Sequence, residues 1–296
     1  MNGAVQPQDA QQTPASDRGV PAQRFEVLLA LVRSPSFLVG AAILAFWIGC
    51  AIFGPLLTPY DPYASDPLNS LTPPDRAHWF GTDQLGRDVF SRVIVGARDI
   101  LTIAPLATLV GTFAGTALGL VVGYFGGWLD NGIGRVIDAL LALPLVVLAL
   151  AALAALGASN TAVILVIGLT FMPITARTVR TAVRSERHLD YVDAAQLRGE
   201  RALYIMFAEI LPNVLQPIVV EATVRLGYAI FAVATLSFLG FGIQPPSADW
   251  GLALSESYSL MTGGAWWTVV FDALAIATLV VGVNLIADSV QGVLDR

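Results

Sequence analysis

Long runs of this chain hold no charge, among them Phe37–Leu57 with 21 residues, Leu101–Tyr124, and residues 139–176 with 38. At 1.5 Å per residue, a helix of the first run reaches about 30 Å, the depth of a bilayer's hydrocarbon. The longest run is too long for one crossing. It breaks at Gly157-Ala158-Ser159-Asn160, so the spacing predicts spans over 135–156 and 161–181, joined as a tight hairpin. Residues 215–238 and 266–287 are equally apolar apart from Glu221, Arg225 and Asp272. With 37–57 and 101–124 these make six crossings, an all-α polytopic membrane chain with both ends on one side.

The polar segments set the remaining boundaries. Residues 1–36 are rich in Gln, Pro and Ala and read as a largely disordered tail, with a short amphipathic piece near Phe25–Val32. The transmembrane domain runs over 37–290, and 291–296 form a C-terminal tail. The 182–212 loop and its approach carry Arg177, Arg180, Arg184, Arg187, Arg198 and Arg201, whereas the connection from Gly240 to Trp266 has no basic residue. That asymmetry places this loop and both ends in the cytoplasm. The first loop, 58–99, is a counter-signal with Arg76, Arg87, Arg92 and Arg98.

Composition adds exclusions. Hydrophobic residues are 55% and charged ones 13%, against roughly a quarter charged in soluble domains. All sixteen basic residues are Arg. Without Lys there is no ordinary Walker A loop, so if the chain works with ATP, the ATPase that holds ATP and Mg is another polypeptide. Cys50 is alone, which excludes an intrachain disulfide. His78 and His188 are isolated, and no metal-ligand spacing, Ser-His-Asp set or HExxH is readable. No catalysis, cofactor, metal or nucleic-acid partner is expected of this chain.

The most charged stretch, Tyr191–Pro212 (YVDAAQLRGERALYIMFAEILP), reads as two short helices about a glycine hinge. Asp190 is placed to cap the first, Asp193 sits in its first turn, and Ala194 and Ala195 offer a surface with little bulk. Gly199 would end that helix in a left-handed backbone, and Pro212 would break the second. Eight residues do not hold a helix alone in water, so something docks on it. It could be a connector lying on the membrane surface. The spacing Asp193-Ala194-Ala195, three residues, Gly199, ten residues, Ile210-Leu211-Pro212 resembles the EAA loop of ABC importer permeases, with Asp193 where that family usually has Glu.

Two further segments extend the likeness. Phe80–Arg98 (FGTDQLGRDVFSRVIVGAR) puts Val89, Phe90, Val93 and Ile94 on one helical face with Arg87, Asp88 and Arg92 off it, which predicts an interfacial amphipathic helix or solvated collar before the second span. Ser237–Gly251 (SFLGFGIQPPSADWG) reads as a turn with Trp250 as an interfacial anchor. Both resemble the C-type permease of dipeptide, oligopeptide and nickel importers. Gly111, Gly115, Gly119, Gly123 and Gly127 form a bare ridge for close helix packing. Pro105, Pro144, Pro173 and Pro217 are expected to interrupt spans two to five.

Glu221 and Arg225 stand i, i+4, with Arg225 about 15 Å into its span. A lone charge there costs at least about 3 kcal/mol, so the pair faces protein or a wet cavity. Either it compensates itself at a helix interface, or it lies on a translocation path. Asp272 either lines an outer vestibule or bonds neighbouring hydroxyls.

The resemblance implies the type I ABC importer permease fold in a bacterial plasma membrane. It implies a path shared with a second homologous permease, two ATP-binding subunits carrying ATP and Mg, and an extracytoplasmic substrate-binding protein delivering peptide. Coupling would fall on Asp190, Tyr191, Asp193, Ala194, Ala195, Leu197 and Gly199. Nickel or another small chelate is the alternative cargo, and a stand-alone channel or secondary transporter the alternative class.

Overall fold

The computed structural model describes residues 30–294, so the 1–36 tail and its amphipathic piece lie mostly outside the described residues. Among the described residues there is no strand, only an isolated bridge between Thr82 and Asp88. The first helix, α1 (Pro35–Leu57), starts where the Ser34 hydroxyl accepts the Phe37 N–H and Pro35 supplies a preset first turn. Next is α2 (Val89–Phe125), then α3 (Gly127–Leu141) and α4 (Leu145–Leu156). These are followed by α5 (Asn160–Glu186), α6 (Asp190–Leu197) and α7 (Ala202–Asn213). The chain closes with α8 (Leu215–Phe238), α9 (Trp250–Ser257) and α10 (Trp267–Leu294). Five of these are long and apolar enough to cross a membrane, and α3 with α4 would be a sixth only as a broken span.

That break corrects one expectation. The 135–156 stretch is not a straight crossing but a pair bent by 92° between Leu141 and Leu145. Pro144 stands in the gap, and its ring disfavours helical backbone in the residue before it. The other prolines do not interrupt their spans. Pro105 and Pro173 lie inside continuous helices, and Pro217 falls in the first turn of α8, where no N–H is missed. Pro212 is absorbed too: the backbone over Ile205–Ile210 widens to a π-helix, with the Leu211 N–H reaching back to the Met206 carbonyl.

A second correction concerns the segment before span two. It is no separate interfacial helix. α2 is one rod of 37 residues, about 55 Å long, and its first turns are buried.

The glycine ridge meets α5. A Cβ on Gly111 would lie 2.7 Å from the Gly168 carbonyl, one on Gly115 2.6 Å from Thr175 Cβ, one on Gly119 2.7 Å from Val179 Cβ, and one on Gly123 2.8 Å from Val183 Cβ. The two backbones therefore approach as only glycine permits. Gly127 is not part of the ridge, because it starts α3 and faces open space. A similar contact binds α1 to α10, where Gly40 lies against the Gly282 carbonyl. Around these seams lie two cores: a large one shared by α1, α2, α4, α5, α8 and α10, and a small one under α6.

Candidate functional site

The first turn of α6 carries Asp190 and Asp193, whose carboxylates favour the positive helix start. Asp190 is not the cap, however; Leu189 holds that position and no side chain bonds the free N–H groups. The C-terminal end is closed tightly. Gly199 at φ +77 donates its N–H to the Gln196 carbonyl (2.9 Å), and Glu200 donates to Ala195 (3.2 Å), the paired bonds of a Schellman stop.

The two sides of α6 differ completely. Val192 and Ala195 are fully buried against Leu120 of α2, Val179 and Val183 of α5, and Ile205 and Ile210 of α7. Asp190, Asp193, Ala194 and Leu197 are exposed, Leu197 at 89%. Of the two alanines expected to meet a partner, only Ala194 faces outward; Ala195 serves the chain's own core. Tyr191 is half-buried, with its hydroxyl donating to Glu186 Oε2 at 2.7 Å, and burial ahead of that bond raises the phenol's pKa.

The arginines of this end hold the scaffold. Arg180 grips the buried Asp130 of α3 through two nitrogens, the second at 2.8 Å, and Arg184 adds a bond at 3.2 Å. Arg187 donates to the Tyr124 carbonyl (2.9 Å), placing a cation at the negative end of α2. Arg177 pairs with Asp138 at 3.1 Å on the surface.

Within α8, Arg225 Nε lies 2.6 Å from Glu221 Oε1, and the other Glu221 oxygen accepts from the Thr178 hydroxyl of α5 at 3.3 Å. The guanidinium sits 5.0 Å from the centre of the exposed Tyr228 ring. Both charged side chains keep about a sixth of their exposure (17% and 15%). The pair is thus self-compensated at the α5–α8 contact while its outer edge stays open.

Asp272 does not line a vestibule. It is 3% exposed, within electrostatic range of Arg92, and its Oδ1 bonds no neighbouring hydroxyl. It lies beneath an ionic knot that replaces the expected solvated collar. Asp83 accepts from Arg87 Nε at 2.6 Å, Arg87 reaches Glu256 at 2.8 Å, and Arg92 donates to the Ser247 carbonyl at 3.0 Å. Asp88, 3% exposed, takes the Ser91 N–H and hydroxyl and His78 Nδ1. Two arginines of the counter-signal loop are therefore neutralised inside protein, which removes their weight from the charge balance.

Trp250 belongs to this region rather than to an interface. It is fully buried, donates to the Val93 carbonyl at 2.9 Å and packs edge-on to Trp47. Asp249 caps α9 by accepting the Leu252 N–H, and burial pushes its carboxyl up to about 6. Sequence reasoning missed Asp83, Asp130 and Glu256; an acid close to an Arg-rich motif was visible only for Asp83.

Residues 115–296 match the family described as binding-protein-dependent transport system inner membrane component, and residues 24–74 match the N-terminal transmembrane domain of oligopeptide transport permease C. A dipeptide transport system permease protein of Alkalihalophilus pseudofirmus is 40% identical over 270 residues, 91% of this chain and 88% of that one. A di/tripeptide transport system permease protein of Pseudomonas aeruginosa is 36% identical over 290 residues, 95% of each chain. Among solved structures, a chain of the MetNI methionine ABC transporter, described as inward facing, superposes with TM-score 0.55 at 18% identity. That match covers 68% of this chain and 96% of the other, and shows a shared fold.

Proposed function

The chain belongs to the binding-protein-dependent transport inner membrane components, and within that family we propose that it forms half of a peptide path opened by ATP-binding subunits docked on α6. A second, homologous permease supplies the other half. Two ATP-binding subunits, holding ATP and Mg, lie on the α6 side, and with them the cytoplasm and both chain ends. An extracytoplasmic binding protein delivers the cargo on the opposite side. Peptide is the cargo because the relatives' names specify dipeptides and tripeptides.

One observation carries the reading: an eight-residue helix too short to persist alone has one face welded to the core and the other bare. Asp190, Asp193, Ala194 and Leu197 form the face that meets the ATPase, and Tyr191, Ala195 and Gly199 hold the helix in place. When ATP closes the ATPase pair, α6 moves with it. Because α6 sits on α2 and α5, and the glycine ridge joins those two, the motion reaches the membrane as a rigid-body shift. No covalent step takes place in this chain. The open edge of the Glu221–Arg225 pair is offered to the zwitterionic ends of a passing peptide.

The test is uptake into proteoliposomes holding the whole assembly. The expected result is peptide accumulation that needs ATP and the binding protein together. Accumulation by this chain without an ATPase overturns the reading, and ATP-driven uptake of a nickel chelate instead of peptide overturns the cargo.

A further inference from the structure

Of the arginines ahead of the second span, Arg87 and Arg92 are tied up in the ionic knot, and Arg98 is not. Arg98 stands on the exposed side of α2. Among the described residues, no carboxylate, carbonyl or aromatic ring partners its guanidinium. The acid beside it in sequence, Asp99, is turned elsewhere and accepts the Ser247 hydroxyl at 2.6 Å. A cation left unpaired on a membrane helix needs a counter-charge from outside the chain.

The depth of Arg98 follows from the seam between α1 and α2. A Cβ on Gly54 would lie 3.4 Å from Val95 Cγ2 and 3.5 Å from Val95 Cα, so these two residues are level. Gly54 is three residues before the end of α1, and Arg98 is three residues beyond Val95 along the antiparallel α2. Arg98 therefore lies about 9 Å inside the end of α1. The uncharged run of α2 begins only at Leu101, about 4.5 Å deeper than Arg98. Those two limits bracket the headgroup edge of the leaflet opposite α6, within reach of an arginine that lays its stem along apolar surface.

At that level Arg98 lines a cleft of about 470 Å³, with Leu101 and Thr102 beside it and Ile48, Ala51 and Ile52 of α1 across from it. No acid lines the cleft. Leu106 and Leu109 follow Thr102 at helical spacing, and both are exposed, as are Ile48 and Ile52. One cation at headgroup level above a bare alkyl seam is the complement of a phosphate carried on acyl chains. A guanidinium holds a phosphate through two parallel bonds. A zwitterionic headgroup brings an ammonium that finds no carboxylate here, so an anionic one fits better. We infer that the Arg98 cleft binds an anionic phospholipid of the leaflet opposite α6, its phosphate on the guanidinium and its chains along Ile48, Leu106 and Leu109. The inference needs only that α1 and α2 cross a bilayer, and it stands apart from the transport reading.

The experiment titrates the delipidated, detergent-held assembly with phosphatidylglycerol, phosphatidylcholine or inorganic phosphate while its melting temperature is recorded. Phosphatidylglycerol should raise the melting temperature of the wild type, and phosphatidylcholine and inorganic phosphate should not match it. Arg98→Gln should raise the phosphatidylglycerol concentration for half-maximal effect by roughly fivefold or more. Arg98→Lys keeps the charge and loses the fork, so it should fall between the two and serves if Arg98→Gln does not assemble. Arg76→Gln, at an exposed arginine outside the cleft, should match the wild type. In a Cys50→Ala background, a photo-crosslinker on Ile52→Cys should capture phospholipid in native membranes. Superimposable titrations of the Arg98 variants and the wild type, equal protection by phosphatidylcholine or inorganic phosphate, or capture of protein in place of lipid at Ile52→Cys overturns the site.

Discussion

Replacing Gly199 isolates the stop of α6 from every other effect. A Cβ at this position meets no atom within 4 Å, so a substitution brings no clash, and the whole penalty comes from the backbone at φ +77. For an L-residue that penalty is about 1–2 kcal/mol, less for Asn, whose side chain tolerates the left-handed region. Through the Gly199 and Glu200 bonds the penalty falls on the last turn of α6, and it multiplies the population of the released turn by about 5- to 30-fold. Hydrogen exchange of the 190–199 peptide in the assembled protein reads this directly. Protection should fall in the order Gly199, Asn, Ala, Val, and ATP-driven uptake should fall in step. Exchange in Gly199→Ala equal to that of the wild type, or an Asn variant weaker than Ala, would refute the assignment of Gly199 as a backbone stop.

Three further outcomes are expected. Gly115→Val should abolish recovery of folded protein from membranes, because its Cβ would lie 2.6 Å from Thr175 Cβ and 2.9 Å from the Met172 carbonyl, while Gly132→Ala, in open space, should not; size-exclusion recovery compares them. Asp249 titrates near 6 when folded and near 3.8 when unfolded, so its proton favours the fold: that stability is complete below pH 4 and is lost as pH rises to about 6, up to ~3 kcal/mol. Asp249→Asn should flatten that slope in melting curves, and parallel curves for the two proteins would contradict the burial. Arg225→Ala should lower peptide uptake at normal assembly by raising KM, and unchanged uptake kinetics would take the pair off the path.

Much was legible in the sequence because its physics is local. Apolar length marks α1, α5, α8 and α10, although α5 runs on to Glu186 and α10 to Leu294, past the expected ends at 181 and 287, and Gly199 announces its own left-handed turn. What stayed hidden depends on partners far along the chain. Arg87 reads as a surface charge until Glu256, 169 residues away, is beside it. Ala194 and Ala195 are indistinguishable by composition, yet the helical turn sends one out and the other onto Val179. Trp250 has the chemistry of an interfacial anchor and became core because Gly96 leaves room for its ring. Pro144 is legible as an interruption of its span, but proline alone does not fix the angle, and the bend of 92° is not written in the sequence.

Whether this chain is a passive gate moved from its α6 side is decided by Leu197→Asp in reconstituted assemblies. Leu197 is 89% exposed, and burying a leucine is worth about 1.5–3 kcal/mol. In that assembly the ATPase subunits should bind roughly 10- to 100-fold more weakly, with peptide uptake lost at subunit concentrations that saturate the wild type. Full uptake by the Leu197→Asp assembly under those conditions would contradict it.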